Sequence, residues 1–327
     1  MDVSTTVWWV TGLVTISVLL VDVLVIGRRP HEPSMRESSR YLTGYIGAAV
    51  LFGIGVWAFS GPQYGGEFFA GWLTEYSLSI DNLFIFIIIM AKFGVPRQYQ
   101  QTALLIGIVL ALVLRGLFIA VGAAAIENFS WVFYLFGLFL VYTAIHLAME
   151  ANEPDAQYDE PKLVTYMRRH FPIHEQWDGV RLTIVENGKR MLTPMFLVIM
   201  ALGVTDLLFA LDSIPAIYGL TKEPYLVFTA NVFALMGLRQ LYFLIGGLLE
   251  RLVYLSYGLS FLLFFIGVKL ILHALHENEL SFINGGEHVE WAPDIPIWLS
   301  LTVIIGTLVI TAVASLAKDR ANQRSAN

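Results

Sequence analysis

No cysteine occurs in this chain. That excludes disulfides, thiolate metal sites and thiol nucleophiles, and it leaves the redox compartment unreadable. Charge is scarce as well: 14% of the 327 residues are charged, against roughly 25% in an average soluble domain. The deficit falls in segments of about 20 residues, the length that crosses about 30 Å of hydrocarbon. The chain therefore reads as an all-α polytopic membrane protein with the lipid bilayer as its first partner. Phosphate-binding glycine loops of the Walker type, zinc-protease HExxH and hydrolase GxSxG patterns are all missing. The expectation is no enzyme, no tightly bound cofactor and no nucleic-acid partner.

What is present in quantity is long apolar runs. Nine spans are expected at about 7–26, 41–60, 69–91, 102–125, 131–149, 194–219, 225–247, 252–275 and 296–317. The first is flanked by Asp2 before and Arg28-Arg29 after, the reverse of a cleaved signal peptide, and reads as an anchor with an outer N-terminus. Basic residues test this topology. With the N-terminus outside, sixteen of the twenty Lys and Arg fall in cytoplasmic segments and only Lys222 falls outside. That bias sets an N-out, C-in orientation. The remaining Arg115, Arg239 and Lys269 lie within spans. The Trp8-Trp9 pair, Trp131, Trp291 and Trp298 fit interfacial belts.

The spans form a single membrane domain with two long loops. The cytoplasmic loop, 150–193, contains a hairpin pattern over Arg181 to Arg190 with Asn187-Gly188 at its turn. The outer loop, about 276–295, carries Glu277, Glu279, Glu287, Glu290 and Asp294 beside His276 and His288, and reads as a solvated acidic mouth. The interior repeats. Spans three to five (about 69–149) resemble spans six to eight (about 194–275), with Glu75 opposite Asp206, Asp81 opposite Asp212 and Asn82 opposite Ser213. An arginine follows in the next span of each copy (Arg115, Arg239), and a histidine lies near the end of the third (His146, His273). An odd number of spans per copy inverts the second relative to the first, a plan of secondary transporters that bind near the membrane midplane.

Aspartate and glutamate at membrane depth face a cavity, a partner or an ion path. The candidates here are Asp22, Glu75, Asp81, Asp206 and Asp212, set against Arg115, Arg239 and Lys269; the excess of −2 matches one divalent cation. Carboxylates, the Asn82 amide and the hydroxyls of Ser77, Ser79, Thr205 and Ser213 form an oxygen-rich set suited to Mn²⁺, Mg²⁺ or Ca²⁺. Helix geometry limits how they meet. Residues six apart are turned by about 240° and separated by about 9 Å along an ideal helix. Glu75 and Asp81 therefore share no face, nor do Asp206 and Asp212, unless the helix is interrupted, for which Pro215 offers a place. Without an interruption, one acid of each pair binds the ion while the other holds an arginine or lines the path. Asp81 and Asp212, with Asn82 and Ser213, are the expected ion ligands. Buried acids can also serve only to fix helix packing. Asp22 reads equally as interfacial, Asn231 as a packing or ligand residue, and the two histidines as interfacial residues or proton carriers.

The stretches EYSLSIDNLF (Glu75 to Phe84), DLLFALDSIPA (Asp206 to Ala216) and TANVFALMGLRQLYF (Thr229 to Phe243) resemble the TerC family of integral membrane proteins, including its Alx branch. The Met167 to Pro172 segment and the Thr193-Pro194 entry into span six are similar too. The resemblance covers about residues 40 to 275. It implies a bacterial inner-membrane protein of metal homeostasis, linked with tellurite resistance, with Mn²⁺ export in the Alx-like branch. It assigns the ion path to Glu75, Asp81, Asn82, Asp206, Asp212 and Ser213, supported by Asp22, Ser79, Arg115, Asn231, Arg239 and Lys269. Some members carry an acid where Gly203 stands here, which would leave this site one carboxylate fewer. The expected function is export of a divalent cation, Mn²⁺ first, by proton exchange through alternating access. A non-transporting membrane factor that assists assembly or metal loading of other proteins, and an amino-acid exporter, are the alternatives.

Overall fold

The computed structural model describes the chain apart from residues 2, 29–32, 130, 151–160, 175, 187–188, 246–253, 277, 279, 281–282, 290, 294 and 326–327. The side chains of 22–28, 81, 84, 127–128, 150, 162, 245, 286 and 319–325 also lie outside the description. Ten α-helices are described: α1 (Thr5–Arg28), α2 (Met35–Ser60), α3 (Pro62–Lys92), α4 (Arg97–Asn128), α5 (Val132–Glu150), α6 (Lys162–His170), α7 (Pro194–Tyr218), α8 (Pro224–Ile245), α9 (Leu255–His276) and α10 (Ile297–Ser325). Eight of the described helices are long and apolar enough to cross a bilayer. The apolar part of α1, Thr5–Val21, is shorter. Each expected span thus has its helix, and the fourth and fifth are separate.

Local chemistry sets several ends. Gly61 takes φ +104, a region closed to side chains, and Pro62 opens α3 at the position where its missing N–H costs nothing. This moves the start of α3 outward from 69, bringing Glu67 inside the helix. Thr193 caps α7 by accepting from the Phe196 amide at 3.3 Å, with Pro194 in the first turn. At the far end, α7 continues through Pro215 to Tyr218. The interruption for which Pro215 offered a place does not occur. Pro215 has no N–H to give the Leu211 carbonyl, yet the helix keeps its course to Tyr218.

The loop between α5 and α7 holds more than a hairpin. Strands β1 (Thr183–Glu186) and β2 (Lys189–Leu192) pair antiparallel with Glu186 opposite Lys189, while the turn at Asn187-Gly188 lies outside the described residues. The helix α6 before them was not foreseen; its Val164 is fully buried in the main apolar core.

Packing in the bundle is reciprocal. Helix α3 lies against α8 and α4 against α7; α5 pairs with α9, α3 touches α7, and α4 touches α8. Exchanging the α3–α5 triplet for α7–α9 leaves this set of pairs unchanged. Helix α2 covers α3 and α8, α1 lies on α4, and α10 lies on α3 and α9. A large apolar cluster including Phe86, Met90, Leu104, Ile108, Leu202 and Leu238 fills the half that the basic residues assign to the cytoplasm.

Candidate functional site

Four helices meet at Arg115. This residue sits near the middle of α4 and is 1% exposed. Its Nε donates to Asp206 Oδ2 at 2.9 Å and its Nη2 to Asp206 Oδ1 at 3.0 Å, a two-pronged pairing with the carboxylate. Its Nη1 donates to Glu75 Oε1, to Asn231 Oδ1 at 3.0 Å and to Ser213 Oγ at 3.3 Å. Glu75 is supplied by α3, Asp206 and Ser213 by α7, and Asn231 by α8. All four acceptors are buried. Burial at this depth is tolerated because the charges face one another and the polar atoms find donors.

The supporting bonds orient the clamp. Asn231 Nδ2 donates to the Val227 carbonyl at 2.9 Å, which turns its oxygen towards the guanidinium. Ser79, one turn beyond Glu75 on α3, donates to Glu75 Oε1 at 3.5 Å. Glu75 Oε2 is buried and has no hydrogen-bond partner among the described residues. Asp206 and Ser213 lie seven residues apart on α7, a spacing that returns to the same helix face. The continuous helix thus presents Asp206 and Ser213 together; Asp212, next to Ser213, is half-buried.

The other expected residues are spread out. Asp81 lies in α3 and Asp22 in α1, and the side chains of both are outside the described residues. Asn82 and Thr205 are buried. Ser77 is buried too, beside a cavity of about 210 Å³ between α3, α9 and α10. Arg239, which the repeat sets opposite Arg115, is buried near Ser38 and Gln101; with the Gln240 amide turned so that its nitrogen meets the Met236 carbonyl, its oxygen accepts from Arg239 Nη2 at 2.7 Å. Lys269 Nζ donates to Ser300 Oγ at 3.3 Å. Gly203 lies against Leu110, so an acid there would displace that side chain. His146 is exposed and stacks on Tyr142, while His273 meets the edge of Phe133. Among the described residues, no three His, Asp or Glu side chains stand close enough to hold a metal ion together.

A second feature was missed. A cavity of about 560 Å³ opens at the end assigned to the outside, lined by Gln63, Tyr64, Glu67, Tyr218, Lys269 and His273 among others. Glu67 is buried and held by Gln63 Nε2 at 3.0 Å and Thr221 Oγ1 at 2.6 Å. The Gly61-Pro62 pair, a helix-start signal, could have placed Glu67 within a helix. Tyr218, which lines this cavity, also reaches α4. Its hydroxyl donates at 2.7 Å to the carbonyl of Ile119, four residues beyond Arg115 on α4, or about 6 Å of helix rise.

The model of the integral membrane protein TerC family matches residues 60–323. An uncharacterised membrane protein of Mycobacterium tuberculosis is 48% identical over 329 residues, covering 100% of this chain and 83% of the relative. One from Myxococcus xanthus is 37% identical over 305 residues, covering 93% of this chain and 90% of the relative. The Escherichia coli K12 protein Alx, whose name makes it a candidate membrane-bound redox modulator, is 33% identical over 322 residues, covering 95% of this chain and 94% of the relative. No solved structure matches. With the family model matching most of its length, this chain belongs to the TerC family of integral membrane proteins.

Proposed function

We propose that this protein is a secondary transporter that exports a divalent cation, Mn²⁺ first among the hard ions, in exchange for protons. The observation that carries this reading is the convergence of Glu75 and Asp206, one from each helix triplet, on a single buried point. Carboxylates so deep in apolar spans serve a path more often than packing. The donors around that point are all oxygens, the chemistry that hard divalent ions prefer. Reciprocal packing of the triplets supports an inverted-repeat carrier with its site at their interface.

The two sides of the clamp are unequally closed. Towards the outside, a cavity large enough for hydrated ions is lined by Tyr218, which bonds to Ile119 on the helix of Arg115. Towards the cytoplasm, the apolar cluster is many side chains thick. In this reading the structure is a closed state leaning outward, and Asp81, Asn82 and Asp212 line the remainder of the path. Protons replace the metal because carboxylates that release it can take them up. No covalent chemistry is required, and the membrane is the bacterial inner membrane.

Flux of Mn²⁺ into proteoliposomes under an imposed pH gradient tests the proposal. Native protein is expected to transport, and Glu75→Gln, Asp206→Asn, Asp81→Asn and Asp212→Asn are each expected to lose at least tenfold in rate while remaining folded. Absence of Mn²⁺, Mg²⁺ and Ca²⁺ flux in native protein, in either gradient direction, would sink it. An assembly role centred on the 150–193 loop would then take its place.

A further inference from the structure

We infer that Arg115 is a tethered stand-in for the transported cation, occupying the acid site until a divalent ion displaces it. The inference rests on the transport reading above. Five acceptor atoms that an oxygen-seeking ion would use at this point are already turned towards one guanidinium: both oxygens of Asp206, Oε1 of Glu75, Oγ of Ser213 and Oδ1 of Asn231. A guanidinium does not lose its charge in proteins. The clamp therefore cannot be opened by deprotonating its cation. It opens only when the whole group moves or another positive charge competes for the acceptors.

The charge balance favours such a competitor. Glu75 and Asp206 bring two carboxylates, and Arg115 brings one positive charge. Glu75 Oε2, buried and without a partner among the described residues, is an acceptor that Arg115 leaves unused. A divalent cation matches both carboxylates by itself and supplies a partner for that oxygen. The division among helices also fits. The acceptors stand on α3, α7 and α8, and the guanidinium alone belongs to α4. Movement of α4 against the other three would withdraw the stand-in as a unit and leave the acceptors in place for the ion. A purely structural ion pair would need only one of the two carboxylates and no unused acceptor.

The test measures Mn²⁺ binding to the purified full chain in lipid nanodiscs, from the loss of the free-Mn²⁺ electron paramagnetic resonance signal. Arg115→Gln is expected to bind at least tenfold more tightly than native protein, with Arg115→Lys in between. Mn²⁺ should also raise the unfolding temperature of Arg115→Gln more than that of native protein. Equal or weaker binding by folded Arg115→Gln overturns the inference. Should Arg115→Gln fail to fold, native protein carries the test through phenylglyoxal labelling of Arg115, read by mass spectrometry. Labelling that rises with Mn²⁺ supports displacement, and labelling that stays level or falls overturns it. Native protein that transports divalent ions but fails these readouts loses this inference alone, whereas absence of flux removes the transport reading as well.

Discussion

Removing the guanidinium and removing one of its carboxylates are not equivalent losses. Arg115→Met leaves Glu75 and Asp206 facing one another with no cation between them. Asp206→Asn leaves Glu75 and Arg115, a neutral pair. Breaking a buried ion pair so that charge is uncompensated costs about 3–5 kcal/mol. Arg115→Met is therefore expected to lower the apparent unfolding temperature in detergent further than Asp206→Asn does. The opposite order would show that charge balance does not govern the clamp. The same arithmetic explains which part of the site was legible beforehand. Acids in apolar runs announce themselves by cost, so Glu75, Asp206 and Arg115 stood out in the sequence. Their mutual bonding did not, because the groups lie far apart along the chain, and local pattern carries no information about which helices meet. Asp212 stood out for the same reason as Asp206, and on the continuous helix it is turned by about 240° from that residue.

Between elements, α5 and α9 approach each other closely where they cross. A methyl on Gly137 would stand 2.6 Å from Ile271 Cγ1 and 2.8 Å from the Gly267 carbonyl oxygen. Likewise, one on Gly267 would stand 2.9 Å from the Gly137 carbonyl oxygen. Backbone meets backbone here, the use that membrane helices make of small residues. Gly137→Ala is expected to destabilise the protein by about 1–3 kcal/mol, the usual range for overpacking. Gly55→Ala on α2 has open space around it and should be close to neutral. Thermal unfolding of the two variants side by side checks the pair, and equal stability would show that the crossing is looser than described. Helix existence and order were legible here because hydropathy alone marks spans. The crossing partners were not, since α5 and α9 are separated by more than a hundred residues.

At the scale of the whole molecule, the orientation rests on the distribution of basic residues, and the absence of cysteine makes it simple to test. A cysteine placed at exposed Lys222, between α7 and α8, should react with an impermeant maleimide in intact spheroplasts. A cysteine at exposed Lys189, in the hairpin, should react only after the membrane is opened. The reverse pattern would turn the molecule over, and with it the direction in which the 560 Å³ cavity opens.

The sequence alone determined that this chain is a helical membrane protein, where its spans run, which loop carries a hairpin, and that it resembles the TerC family. Those properties follow from the hydrophobic length of each segment, from turn chemistry and from local motifs. Tertiary structure decided that α7 runs unbroken through Pro215, that Glu67 lines a cavity, and that Arg115 gathers acids from both triplets. The physical reason is the same in each case. A local segment sets its own conformational preference, but the partner of a buried charge is chosen by helix packing, through contacts between residues far apart in the chain.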